Sequence, residues 1–415
     1  MNTAILAGIQ LKQNKNEFQA AMEECANLCD ACGIRVIGTI TQQAQNLDKK
    51  TAFRSGKLEE LAAQVKALDA EGVVFYNRLS LYEQERISEA CGVDVIDRTT
   101  LILDIFSKRA RSRQAKIQTE MARLEYNLPK ILAEATAEDQ QRGGAFTNRG
   151  AGEKRSVITE RRYKAHITDL KNELRQMDLQ AVQRRQKRAK SAVRSAALVG
   201  YTNAGKSSLM NLLLKQSGKD RKQVMEKDML FATLDTSVRS IEFSGREFLL
   251  YDTVGFVSDL PHELVEAFKS TLDAARDADL LVEVIDAHDP SWQQKARVTE
   301  ETLKQIGADD IPVLRVFNKM DLVKDPRVCA GLKLSCRTGE GAEELCQEIL
   351  QRLYPDEETL QCRLPYEQMS LLDSYRRILN IRIRKQDEQG MLLEVRGPKE
   401  SAEVFRRFEV KEENE

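Results

Sequence analysis

Short apolar runs alternate with helical stretches in two separate passages, and this predicts an α/β chain built on parallel sheets. Between the passages lies a stretch almost free of glycine and proline, which predicts a long helical pair. A short tail with two strand-like runs about a turn near Asp387 to Gly390 adds a small α+β unit. A chain of 415 residues exceeds what one core ordinarily serves, so several domains are expected.

The first unit, 1–103, reads TAILAGIQL, then the helical EFQAAMEECANLCDACG, then IRVIGTI, KLEELAAQVKAL, GVVFY, LYEQERISEAC and VDVID. Strand and helix in strict alternation imply a small parallel α/β domain. The second, 104–194, follows from a passage with no glycine and one proline, Pro129, between Val93 and Arg142, and from the absence of both between Glu153 and Val199. Two long helices are expected, antiparallel and joined by the loop GGAFTNRGAG. A second helix from Lys154 to Lys190 would be about 55 Å long, enough to project beyond a small domain. The third unit, 195–355, runs AALVG, helix, SVRSIEF, EFLLYDTVG, helix, LLVEVIDA, helix, PVLRVFNKMD, GLKLSC, helix, the order of a doubly wound sheet. The fourth, 356–415, reads as a helix, two strands and a last helix from Pro398.

Charge is nearly balanced overall, with 64 Lys and Arg against 65 Asp and Glu, yet Ile105 to Ser195 holds 22 basic against 10 acidic residues. A basic helical arm of that kind points to a polyanionic partner. The start MNTAILAGIQLKQ has neither the basic opening nor the apolar stretch of a signal peptide, and no apolar run reaches membrane-spanning length, so a cytoplasmic location is expected; a monomer is the expected state, which these features do not decide. Eight cysteines in so long a chain form no disulfide framework. Cys25, Cys29 and Cys32 have helical spacing without a histidine nearby and read as a buried helix face rather than a zinc site.

The chemistry is concentrated in the third unit. Gly200, Tyr201, Thr202, Asn203, Ala204, Gly205, Lys206 and Ser207 follow an apolar strand and precede the helix that begins with Ser208, the context a phosphate loop requires. Backbone amides at that helix start cradle phosphate, Lys206 reaches its oxygens, and the Ser207 hydroxyl is a magnesium ligand. Asp252, Thr253, Val254 and Gly255 close the strand EFLLYD, where a carboxylate can hold magnesium through water and the Gly255 amide can meet a γ-phosphate. Asn318, Lys319, Met320 and Asp321 close PVLRVF, and a buried carboxylate at Asp321 can accept both from the ring NH and from the exocyclic amine of guanine. Adenine offers no such pair, so GTP and GDP are the expected ligands. Ser335 and Cys336 end the next strand and can close over the base. Between these elements Phe231, Ala232, Thr233, Leu234 and Asp235 form a switch segment in which Thr233 is the candidate magnesium ligand and Thr236 its rival.

The expected fold is thus a P-loop, Ras-like GTPase domain preceded by a small parallel α/β domain with a long helical hairpin and followed by a small α+β domain. Lys206, Thr233, Gly255 and Asn203 are the expected catalytic group. After Gly255, where many such GTPases carry a water-orienting glutamine, stands Phe256, so hydrolysis by the chain alone is expected to be slow. Asn203 could help hold a monovalent cation, potassium being the candidate; a turn asparagine is the plain alternative.

The strings DTVGFVSDLPHELVEAFKSTL, LFATLD and GYTNAGKS resemble the HflX family of ribosome-associated GTPases, and the likeness continues in RSGKLEEL, DRTTLILDIFSKRA and GGAFTNRGAGE. The resemblance implies binding to the large ribosomal subunit and a role in splitting or rescuing ribosomes. Arg149, Lys154, Arg155, Arg161 and Arg162, clustered at the hairpin loop and second helix, are the expected contacts to ribosomal RNA. Ala151 stands where the family commonly has proline. Some members are thought to bind a second nucleotide in the N-terminal domain, but here Gly56-Lys57 reads as a helix start. A regulatory switch docking on a protein effector is the alternative function, and an RNA-remodelling ATPase a third.

Overall fold

The computed structural model describes the chain except for residues 12–14, 49, 143–154, 190–192, 218–236, 258–268, 324–330, 376–378, 388–389 and 411–415. Its first unit is a four-stranded parallel sheet of β1 (Thr3–Gln10), β2 (Arg35–Gln43), β3 (Gly72–Phe75) and β4 (Asp94–Asp97), ordered β2-β1-β3-β4. Helices α1 (Lys15–Cys32), α2 (Ser55–Ala67) and α3 (Leu81–Cys91) make the crossovers. The central strand β1 alternates: Ile5, Ala7 and Ile9 face Leu61, Val65 and Ile87 of α2 and α3, whereas Ala4 and Leu6 face α1. Both faces are apolar because helices cover both. Cys25 and Cys29 are fully buried on α1, the inner helix face expected of them.

Glycine-free sequence after Val93 does not give one long helix. Strand β4 ends at Asp97, whose buried carboxylate accepts from the Thr100 amide and caps α4 (Arg98–Arg109). A break at Ala110 then separates α4 from α5 (Arg113–Arg142). The domain boundary drawn at 103/104 therefore falls inside α4. Its Leu101, Ile102, Ile105 and Phe106 are buried against α1 in one core, so the whole helix belongs with the first sheet. Pro129 is accommodated within α5. Helix α6 (Arg155–Ala189) returns antiparallel, since Arg113 pairs with Glu173 and Glu120 with His166. Tyr126 of α5 donates its hydroxyl to Asp97, which roots the hairpin in the first domain.

The third unit is a six-stranded sheet of β5 (Ser195–Val199), β6 (Ser237–Phe243), β7 (Arg246–Asp252), β8 (Leu280–Asp286), β9 (Val313–Asn318) and β10 (Leu332–Lys333). Its order is β10-β9-β8-β5-β7-β6, parallel except for β6. Helices α7 (Lys206–Gln216) and α10 (Ala342–Leu353) cover one face, burying Leu209, Leu213, Leu345 and Ile349 on Ala196, Leu198 and Val282. On the other face lie α8 (Lys269–Arg276) and α9 (Trp292–Gln305). Here Ala197, Val199, Tyr201 and Phe256 join the same apolar core as α1, α4 and the base of the hairpin. The two sheet domains thus share a core rather than meeting through a linker.

The last unit has one strand more than expected. Strand β11 (Glu357–Leu364) pairs with β13 (Gly390–Pro398), which pairs with β12 (Asn380–Asp387), all antiparallel, with α11 (Ser370–Tyr375) and α12 (Lys399–Arg406) beside them. Strand β11 reads EETLQCRL, with buried Leu360, Cys362 and Leu364 at period two among the polar Thr359, Gln361 and Arg363. Among the described residues no helix is long and apolar enough to cross a membrane.

Candidate guanine-nucleotide site

Strand β5 delivers the chain to Gly200, whose φ of 135° and close approach to the Val284 carbonyl admit only glycine; an added Cβ would lie 2.4 Å from that oxygen. Asn203 follows at φ 61° and Gly205 at φ 99°, which turns the loop into the N-terminus of α7. A left-handed asparagine is common in turns, so Asn203 has a local reason to be there whether or not it meets a cation. The loop amides converge on a helix start where the partial charge is positive, a site made for an anion.

Lys206 is buried, and its Nζ donates to the carbonyls of Gly200 at 2.9 Å and Tyr201 at 2.7 Å. Burial lowers its amine to about 8, with the nearby Asp252 carboxylate pulling the other way. Gly255 lies against this amine: a Cβ there would stand 2.9 Å from Nζ and 2.7 Å from Thr202 Cα. The Phe256 amide donates to the Gly200 carbonyl and the Thr202 amide to the Phe256 carbonyl, so the two phosphate-facing loops are stitched by main chain. Phe256 itself is 1% exposed and belongs to the shared core, which puts its ring away from any bound water. Thr253 donates to Leu198 O at 2.6 Å, and Val254 is buried.

Ser207 donates its hydroxyl to Asp252 Oδ2 at 2.8 Å, and Asp252 is fully buried at the end of β7. A hydroxyl beside a carboxylate is a hard oxygen pair, the donor type that magnesium accepts together with phosphate oxygens and water. Ser208 is half-buried on α7, and buried Ala204 offers its carbonyl to the next element.

That element is Asn318 at the end of β9. Its Nδ2 donates to Ala204 O at 2.9 Å and its Oδ1 accepts from the Cys336 amide at 3.1 Å, so one buried side chain ties the phosphate loop to the loop after β10. Lys319 adopts φ 64° and pairs with Asp286 at 2.7 Å. Asp321 lies in the short 3-10 helix Met320–Leu322 and accepts from the Ser335 hydroxyl at 2.7 Å. Its carboxylate is exposed rather than buried as the sequence suggested, because the turn carries it clear of the strand; Ser335 beneath it is fully buried.

The segment holding Phe231, Ala232, Thr233, Leu234, Asp235 and Thr236 lies outside the described residues, as do Arg149 and Lys154. The backbone of Arg155 opens α6, and Arg161 and Arg162 are exposed on that helix. Helix α2 begins at Ser55, so Gly56 and Lys57 lie in its first turn, and Lys57 pairs with Glu60 at 2.9 Å. Sequence reasoning missed Glu24 and Lys295, which reach Tyr201 from outside its motif, and Arg98, which pairs with Glu24. Only the fold brings them together, and no local pattern marks them.

Comparison with known proteins covers nearly the whole chain. Residues 19–107 match the family described as GTP-binding GTPase N-terminal, 109–188 GTP-binding GTPase Middle Region, and 195–319 50S ribosome-binding GTPase. The GTPase HflX of Escherichia coli is 35% identical over 95% of this chain and 93% of its own. That of Alkalihalophilus pseudofirmus is 35% identical over 94% and 88%, and that of Caldanaerobacter subterraneus 37% over 85% and 81%. A GTP-binding protein of Sulfolobus solfataricus, solved with GDP, is 24% identical over 84% of this chain and 98% of its own, with a TM-score of 0.46. With a P-loop sheet behind the site and more than a third of residues shared end to end with such relatives, the chain belongs to the HflX family of GTPases.

Proposed function

We propose that this GTPase uses magnesium and works on the large ribosomal subunit, in splitting or rescuing ribosomes, with its basic hairpin as the RNA-facing arm. The observation that carries the reading is the union of a phosphate loop, the Asp252 strand end and the turn from Asn318 to Asp321 with a rooted hairpin whose second helix exposes Arg161 and Arg162. The family description over 195–319, a 50S ribosome-binding GTPase, supports the choice of partner.

In this reading the loop amides from Asn203 to Ser207 hold the β-phosphate, and Lys206 leaves its carbonyl acceptors for the phosphate oxygens. The Gly255 amide meets the γ-phosphate, and Asp321 with the Cys336 backbone receives guanine. Ser207 and Thr233 would hold magnesium directly and Asp252 through water; the ion neutralises charge on the phosphates when bound. Asp252 and Ser207 stand together, and the hydrogen bond between them supports this choice of cation ligands. No side chain at position 256 can orient the attacking water, so hydrolysis is completed by a partner or by a potassium ion beside Asn203.

Multiple-turnover GTP hydrolysis with and without purified large subunits tests the reading. The rate rises at least tenfold with subunits; an unchanged rate across a wide subunit titration contradicts the ribosome role. Exchanging potassium for sodium slows wild type if Asn203 holds the ion, and an equal rate in the two salts removes the ion alone.

A further inference from the structure

We propose that Glu24 of the first domain is a positioning residue for the phosphate loop and sets how fast guanine nucleotide is released. The inference rests on the nucleotide reading of the loop and adds a residue 177 positions away from it. Tyr201, the second residue of the loop, is buried, and its hydroxyl donates to Glu24 Oε2 on α1. The other oxygen of Glu24 accepts from Arg98 Nη2 at 2.6 Å, at the start of α4. The side chains of this ion pair are only 7% and 10% exposed. A guanidinium therefore fixes the carboxylate, and the carboxylate fixes the phenol. Lys295 of α9 approaches the same ring, 4.8 Å from its centroid.

This contact differs from an ordinary staple between domains because of what the Tyr201 backbone does. Its carbonyl is one of the two acceptors of Lys206 Nζ, and the next amide, of Thr202, is hydrogen-bonded to Phe256 in the loop that carries Gly255. A swing of the ring loosens the hold on the residue whose peptide is hydrogen-bonded to Lys206 and, through the Thr202 amide, to the loop that carries Gly255. Room for such a swing exists: a cavity of about 450 Å³ lies beside Tyr201, between α1 and the start of α9. A hydrogen bond to a charged acceptor in a buried setting is among the stronger ones a side chain makes, so its loss has a measurable effect on the loop. Where the contact changes equilibrium affinity as well as release rate, the coupling is reciprocal, and occupancy of the loop tightens the seating of α1 by the factor in affinity.

The test is the dissociation rate of a fluorescent GDP analogue from the full-length chain. Wild type, Tyr201→Phe, Glu24→Gln and the double variant are compared, with thermal melting alongside. Each single change speeds release about tenfold, and the double is no faster than the faster single, because both remove one bond. Should Glu24→Gln be insoluble, Glu24→Asp, which keeps the charge but shortens its reach, shows the same acceleration. Release rates equal to wild type in both singles, or effects that multiply in the double, overturn the positioning role; so does a lowered melting temperature with unchanged release, the mark of a purely structural contact. A wild type that fails to bind GDP at all overturns the nucleotide reading itself, and this inference with it.

Discussion

The Ser335 hydroxyl holds one oxygen of Asp321 at 2.7 Å, so the carboxylate is oriented by the protein's own framework. Its two acceptors match the two donors on the guanine edge, and replacing one acceptor by a donor turns a match into a clash. Asp321→Asn is expected to weaken GTP binding at least about a hundredfold and to bring xanthine nucleotides into preference, measured by titration with both. Lys206 gives a pH signature. Burial lowers its amine to about 8, below the ordinary lysine value, so above pH 8 the amine is largely neutral. Phosphate favours the charged form, and binding above that pH must take up a proton. GDP affinity should hold steady below pH 8 and fall toward about tenfold per unit above it, visible by calorimetry in buffers of different ionisation enthalpy. Phe256 was informative for what it lacks; the structure adds that its ring is a core side chain, so the absence of a water-orienting group follows from packing.

At the scale of elements, the ends of β5, β7 and β9 were legible because each carries a motif of fixed spacing at the end of an apolar run. Asn318 shows what spacing does not reveal, since its hydrogen bonds run to Ala204 and Cys336 on two different loops. Asn318→Ala leaves the buried Ala204 carbonyl and Cys336 amide without these partners and should cost about 1–3 kcal/mol in chemical unfolding, with a parallel loss of nucleotide affinity. Two glycines make an opposed pair. Gly200→Ala drives a methyl into the Val284 carbonyl at a positive φ, so the chain should lose about 1–3 kcal/mol and its nucleotide binding. Gly56→Ala meets nothing within 4 Å in a helix and should raise the melting midpoint, by up to about 1 kcal/mol in stability. Elements without a motif were read less well. The break after Arg109 carries no glycine or proline, and β11 opens on two glutamates and offers only Leu360, Cys362 and Leu364 as apolar positions. Both are decided by tertiary packing, of α4 on α1 and of Leu360, Cys362 and Leu364 on the α12 side chains.

Across the whole molecule, charge asymmetry located the hairpin and alternation located the sheets, but nothing local announced that the first and third units share a core. Residues from α1, α4, the hairpin base and Phe256 make one cluster, so the hairpin and the phosphate-loop sheet are connected through packed side chains. Tyr126 and Asp97 join the hairpin to the first sheet, and Arg98, next in sequence, leads through Glu24 to Tyr201. The hairpin and the phosphate loop are thereby joined through one packed core. Binding of the arm should still be separable from binding of nucleotide by charge, because Arg161 and Arg162 point to solvent. The most direct measurement is pelleting with purified large ribosomal subunits at several salt concentrations, beside nucleotide titration of the same samples. The chain in which Arg161 and Arg162, with Arg149, Lys154 and Arg155, are changed to Glu is expected to stay in the supernatant while binding GTP as wild type does, and wild-type pelleting should weaken steeply with salt. A charge-reversed chain that still pellets with subunits at moderate salt would contradict the account, and the hairpin would then be a solvated structural arm.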